Sequence, residues 1–282
     1  VLSVSQCAGP TTVRAAPAFV HWFKIPRRSA VRKEKRLVAA LAVLAALLPL
    51  TTGCAVGRGE PLVVGEMVTE TQSFEVDGAR SLEVDLSVNL GSLRLSGGSE
   101  GLADMEFTYN VAEWKPKVDR SERGDRAHLT IEQPDLQDRS IPDDAESRWN
   151  VKLNSDVPVT LNLDVGIGES VIALGGTSAT SVTIDQGIGE ITLDLTGDWA
   201  NDLEVSIDGG IGTATIRVPE EVGVRVRADA GIGSVSAFGF TRRGDAYVNG
   251  SYGETEATID IAIDAGIGNI TIQVGNEATA QI

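Results

Sequence analysis

The chain has 282 residues, 42% of them hydrophobic but only 5% aromatic, with 31 glycines; this favours many short strands over thick helices and makes an all-β fold the expectation. Its formal charge of −16 is unevenly spread, because residues 1–53 carry eight Lys/Arg and one acid, leaving 16 bases against 39 acids beyond them, or about −23. A body that acidic is repelled by nucleic acid and by bare anionic lipid, which excludes nucleic acid as a partner.

Residues 1–30 contain Cys7, His21 and Trp22 but no periodic pattern, and they read as a mis-assigned upstream stretch, with translation starting near Val31. The basic run Arg32-Lys33-Glu34-Lys35-Arg36 then leads into the uncharged segment Leu37 to Leu50. That segment falls short of the ~20 apolar residues of a bilayer span and fits the core of a signal peptide, disordered or helical, over 31–53. The string Leu50-Thr51-Thr52-Gly53-Cys54 resembles a bacterial lipobox, which implies that Cys54 becomes the acylated N-terminus. A multiply acylated Cys54 holds the body at a membrane persistently, extracytoplasmically, and leaves no thiol for a disulfide. Residues 54–75, mixed in Gly, Glu and Thr, read as a tether.

Strands are expected from about Phe74. Ser81 to Leu95 alternates well, and its Asn89-Leu90-Gly91-Ser92-Leu93 looks like an eroded first copy of a repeat that returns later. Three further strand-like runs, 105–114, 127–133 and 149–154, are separated by the charged segments 118–126 and 134–147, which suit surface loops. Three strings in these runs carry a resemblance: Tyr109-Asn110-Val111-Ala112-Glu113-Trp114-Lys115-Pro116, Leu129-Thr130-Ile131-Glu132-Gln133-Pro134, and Trp149-Asn150-Val151-Lys152-Leu153-Asn154-Ser155-Asp156-Val157-Pro158. Together they resemble the N-terminal domain of the toast-rack family over roughly residues 80–195. The resemblance implies an envelope lipoprotein with a β-helical body and no catalytic residues to carry over. The C-terminal copies are also similar to β-helical adhesin-like and LiaF-type envelope-response domains.

From Asp164 onward the string Asp-x-Gly-Ile-Gly recurs at Asp185, Asp208, Asp229 and Asp264, 21, 23, 21 and 35 residues apart. Fixed-period self-similarity with alternating flanks predicts a β-solenoid, a single-stranded β-helix of short rungs, over 161–282, continuous with an N-terminal β domain over 76–160 that carries a β-hairpin elaboration. Aligned on the first glycine, Leu161, Val182, Val205, Val226 and Ile261 form one inward column, and Leu163, Ile184, Ile207, Ala228 and Ile263 another. Ile167, Ile188, Ile211, Ile232 and Ile267 read as a further buried column, followed by Ile191, Leu193 and Leu195 and their equivalents. One rung alone buries too little to offset the ordering of its backbone, so the copies must fold as a unit.

The glycines suit a sharp corner. Asp164, Asp185, Asp208, Asp229 and Asp264 fall at outward positions and stack into a row of like charge, which calls for compensation. Two forms are open: each carboxylate accepts corner amides as a turn cap, or the row binds Ca²⁺, for which one carboxylate per rung supplies few of the six to eight oxygens required. Glu204, Arg225 and Asp260 share an outward column, in the order of a Glu–Arg–Asp ladder.

The extra residues of the longest gap fall in Phe238 to Glu256. There Phe240, Arg242, Arg243, Tyr247 and Tyr252 make either a hairpin folded back on the flank or an interaction loop. Trp114, with Lys115 and Lys117, is a second candidate, though burial suits Trp114 better. With the chain ending soon after Val274, the last rung has an open edge, which predicts a partner there or the tail Gly275 to Ile282 folded over it.

After cleavage His128 is the only histidine, and no Cys nucleophile, P-loop or dinucleotide fingerprint is present. The sequence therefore predicts a non-enzymatic, lipid-anchored extracytoplasmic solenoid with no catalytic residues, no metal and no cofactor. Its expected role is in envelope interaction, adhesion or stress sensing, with an envelope protein or a glycan as partner. The alternative is a polysaccharide-binding or polysaccharide-degrading β-helix protein.

Overall fold

A computed structural model describes residues 62–135 and 139–275. The upstream stretch, the signal segment, Cys54 and the tail 276–282 lie outside the described residues. No helix among the described residues is long and apolar enough to cross a membrane.

The body is almost entirely strand. In chain order come β1 (Val64–Phe74), β2 (Ser81–Ser99), β3 (Ala103–Val111), a 3-10 turn at Ala112–Trp114, β4 (Lys117–Arg123), β5 (Arg126–Glu132) and β6 (Ser147–Asn154). Then follow β7 (Val159–Ala173), β8 (Ala179–Asp194), β9 (Leu203–Val218), β10 (Gly223–Phe238), β11 (Thr241–Arg243), β12 (Ala246–Val248) and β13 (Thr258–Val274). β2, β7, β8, β9, β10 and β13 run 15 to 19 residues because each is two strands joined through a corner.

The corner is visible in the burial pattern. In β8, Val182, Ile184 and Gln186 point inward before it, and Ile191 and Leu193 after it, so the inward parity changes from even to odd. A strand that changes parity at a bend folds back with both halves facing one interior. Inward side chains of both halves, rung after rung, belong to a single core cluster, as the columns read from the sequence require. Register confirms the stacking: Leu161 pairs with Val182, Val182 with Val205, and Val205 with Ile261.

Glycine is needed at the second position of each Gly-Ile-Gly for torsion and for space. The backbone there has φ between 149° and 158°, a conformation that residues with a side chain rarely adopt. A β-carbon on Gly168, Gly189, Gly212, Gly233 or Gly268 would also fall inside the van der Waals envelope of the carbonyl oxygen of the matching glycine in a neighbouring rung. The rungs stack closely at the corner because nothing but backbone stands between them.

The order of strands in the sheet is β1-β3-β6-β2-β7-β8-β9-β13-β10-β12-β11, with β5 also paired to β2 and β4 paired to β5. The first half of β2 pairs with β5 and the second half with β6. β2 is itself the first rung: Leu90 pairs with Ile167 and Gly91 with Gly168, so the eroded copy is structurally complete.

Four expectations are corrected. Part of the presumed tether is β1, paired antiparallel with β3 and tied by Glu70, which accepts hydrogen bonds from Lys115 Nζ (2.7 Å) and Tyr109 Oη (2.9 Å). Those two donors hold the Glu70 carboxyl below its usual range. The charged segment 118–126 contains β4, which hides almost nothing and is held by its ladder to β5. β13 inserts between β9 and β10 instead of following β10, so the surface column runs Glu204, Asp260, Arg225, with Arg225 Nε 2.6 Å from Asp260 Oδ1.

The last rung in sequence is thus interior, and the outer strand is β10. Its first half is partly covered by β12, which pairs antiparallel at Arg225 and Val226. Beyond Val226 its outer edge has no strand beside it among the described residues.

Candidate functional site

The corners form one continuous surface, and they carry the largest departure from expectation. Ile167, Ile188, Ile211 and Ile267 are in register with one another but 46–50% exposed, and Ile232, on the outer strand, is 69% exposed. They were expected in the core. The parity change explains the difference: the residue between two glycines sits at the apex of the bend, and the interior is closed by residues before and after it, such as Gln186 and Ile191. Gln186 is buried and binds back across the corner, its Nε2 donating to Gly168 O at 3.3 Å. Stacked side by side, the isoleucines make an apolar rib along the outside of the stack.

The five aspartates stand on one flank of that rib. Asp164, Asp185, Asp208, Asp264 and Asp229 pair in that spatial order and all are exposed, as their outward parity predicts. Among the described residues no corner amide donates to any of them, so the expected turn cap is absent. The corner amides are engaged elsewhere, because rung-to-rung pairing runs through Ile167–Ile188 and Gly168–Gly189. Nor does the row gather three ligand atoms around one point, as calcium would need. On the other flank stand Glu169 and Glu190, then Thr213, Asn269 and Ser234.

At the first rung the rib is covered. Leu90 packs with Leu62, Val111 and Trp114 in a small cluster of their own, which places Trp114 in a buried, structural role. Lys115 is taken up by Glu70.

The insertion folds back as the hairpin β11–β12, with the turn Gly244-Asp245 at its tip. Phe240 and Tyr247 pack against the core, and Arg242 lies over the Tyr247 ring at 5.7 Å. Tyr252 receives Arg225 at 6.0 Å from its ring centre. Buried Asn249 staples the segment, donating to Val222 O (2.7 Å) and accepting from Val224 N (2.9 Å). Of the five loop residues, Arg242 and Arg243 are the exposed pair, and the aromatic ones anchor the hairpin.

A site invisible to sequence reasoning lies on the outer face of β2 and β5. Ligand atoms of Glu83, Asp85 and His128 come within 4.8 Å of one another, an arrangement able to hold a metal ion. His128 Nε2 is 2.7 Å from Asp85 Oδ2, and Asn162 Nδ2 donates to Asp85 Oδ1 at 2.8 Å. Burial pushes the Asp85 carboxyl up, but the Asn162 and His128 bonds outweigh it and hold the group below its ordinary range. Only the register that sets Glu83 beside His128 reveals the cluster.

Residues 63–217, more than half of the chain, match the family described as the N-terminal domain of toast_rack. Residues 167–272 match the family described as cell wall-active antibiotics response LiaF, C-terminal. A crystal structure of a candidate cell adhesion protein from Clostridium sporogenes is 31% identical, with a TM-score of 0.70, covering 74% of this chain and 100% of that one. A candidate adhesin from Bacteroides fragilis is 12% identical with a TM-score of 0.33, covering 73% and 97%. No curated protein matches the chain.

Proposed function

The chain belongs to the toast-rack family, and on that footing we propose that it is a non-enzymatic, lipid-anchored protein of the cell envelope that acts through contact, in adhesion or in envelope-stress sensing. The observation that carries this reading is the apolar rib, a surface built by repetition and left in water, which suits contact and offers no chemistry. Likeness to the LiaF-type family and to the candidate cell adhesion protein of Clostridium sporogenes supports an extracytoplasmic site of action. A polysaccharide-degrading role has less behind it. The groove of about 250 Å³ over β2, β3, β6 and β7 is lined by Glu106 and Glu169 together with Arg94 and Arg148, a wall of mixed charge.

Anchoring is tested by expressing the full chain and Cys54→Ala in a bacterium fed labelled palmitate. The expected result is label and membrane partition for the natural chain, both lost in Cys54→Ala. An unlabelled natural chain, or a Cys54→Ala protein that stays with the membrane, overturns the lipid anchor.

A further inference from the structure

The isoleucine rib is a large feature that the core of the described residues does not use. Five copies of the repeat keep the same apolar side chain at an apex where it fills no core, and mutual stacking still leaves each residue about half in water. Carboxylates line one side of the rib throughout as the aspartate row, and Glu169 and Glu190 add two on the other side, where Thr213, Asn269 and Ser234 follow. Among the described residues none of the five aspartates has a hydrogen-bond or ion-pair partner.

We infer that this rib is a docking site for a basic amphipathic helix of a partner protein, with apolar residues laid along the isoleucines and Lys or Arg reaching the aspartate row and, at the first two copies, Glu169 and Glu190. The inference rests on the reading of the chain as a contact protein and names the surface and the partner. Charge selects the occupant. A second copy would bring two aspartate rows together, and an anionic bilayer would be repelled by the row, whereas a basic flank meets opposite charge along all five aspartates. Continuity supports it too, because at the first rung the chain already covers the same column, laying Leu62, Val111 and Trp114 over Leu90. Five positions at strand spacing span roughly 19 Å, the length of about thirteen helical residues. Long basic side chains can bury their stems on apolar surface while their charges reach outward, which suits a rib one residue wide with a row of acids beside it.

The test uses the purified full chain and a fluorescent 14-residue peptide of Leu and Lys with its Leu on one helical face, followed by anisotropy. A peptide of identical composition with Leu spread around the helix is the control. The facial peptide is expected to bind saturably, and about tenfold or more tighter than the control. The triple variant Ile188→Thr, Ile211→Thr, Ile267→Thr is expected to lose about tenfold or more in affinity at an unchanged melting temperature. The triple variant Asp185→Asn, Asp208→Asn, Asp264→Asn is expected to flatten the salt dependence. Should the threonine variant unfold, Ile211→Lys alone makes the same comparison. No binding, equal binding of the two peptides, or equal binding by natural and rib-altered chains overturns the proposal. The palmitate experiment fails or succeeds independently, so loss of the envelope reading and loss of the rib site are told apart.

Discussion

Gly212→Ala is expected to cost more than about 4 kcal/mol of stability, placing it among the rare severe substitutions. The added methyl would overlap the carbonyl oxygen of Gly189, a backbone atom held by pairing on both sides. Relief requires β8 and β9 to part at the corner, which breaks the ladder between them. Because each rung is stable only by stacking, damage at one interface is felt by its neighbours. For a body of this size that loss lowers the melting temperature by roughly 10 °C or more. Gly250→Ala, where a β-carbon meets nothing within 4 Å, is the control and should change stability by less than about 0.5 kcal/mol. Thermal melts followed by circular dichroism make the comparison, and equal melting temperatures for the two variants would refute backbone contact as the reason for the glycines.

The second large effect is expected at Trp149, the largest fully buried side chain, packed edge-on against Phe107 with ring centres 5.1 Å apart. Trp149→Ala should cost about 3–5 kcal/mol, the usual range for emptying an aromatic site in a core. Trp149→Phe should cost far less, below about 1.5 kcal/mol, for a reason beyond size. The buried indole N–H has no hydrogen-bond partner among the described residues, so the tryptophan carries a desolvation cost that phenylalanine lacks. Denaturant melts of the three proteins decide. A Trp149→Phe protein as unstable as Trp149→Ala would mean that the indole nitrogen contributes more than its surroundings indicate.

What the sequence disclosed follows from what repetition encodes. Period-two alternation located Leu161, Val182 and Val205 in the core and put the aspartates outside, because a strand's faces are fixed by parity. The same rule failed at Ile188, since parity can be counted only along an unbroken strand and the bend between two glycines resets it. The rung order was hidden for another reason. Every rung carries the same pattern, so the long gap before Asp264 reads as an insertion between successive rungs. Nothing local indicates that Pro219 to Val222 steps over a place which β13 later fills. β1 and β4 escaped notice because their side chains are largely exposed, and their existence depends on the strands they pair with. The Glu83–Asp85–His128 cluster needed the pairing of β2 with β5 before its members could be seen as neighbours.

The corner isoleucines line up on the outside of the stack in the order 188, 211, 267, 232. Spin labels placed on cysteines at pairs of these positions, in a chain whose Cys7 and Cys54 are serine, measure both exposure and order. The account predicts mobile, solvent-accessible labels and a stronger spin–spin interaction for the 211/267 pair, one strand spacing apart at ~4.8 Å, than for 211/232, two spacings apart. A stronger interaction for 211/232, or labels immobilised out of reach of water, would contradict it.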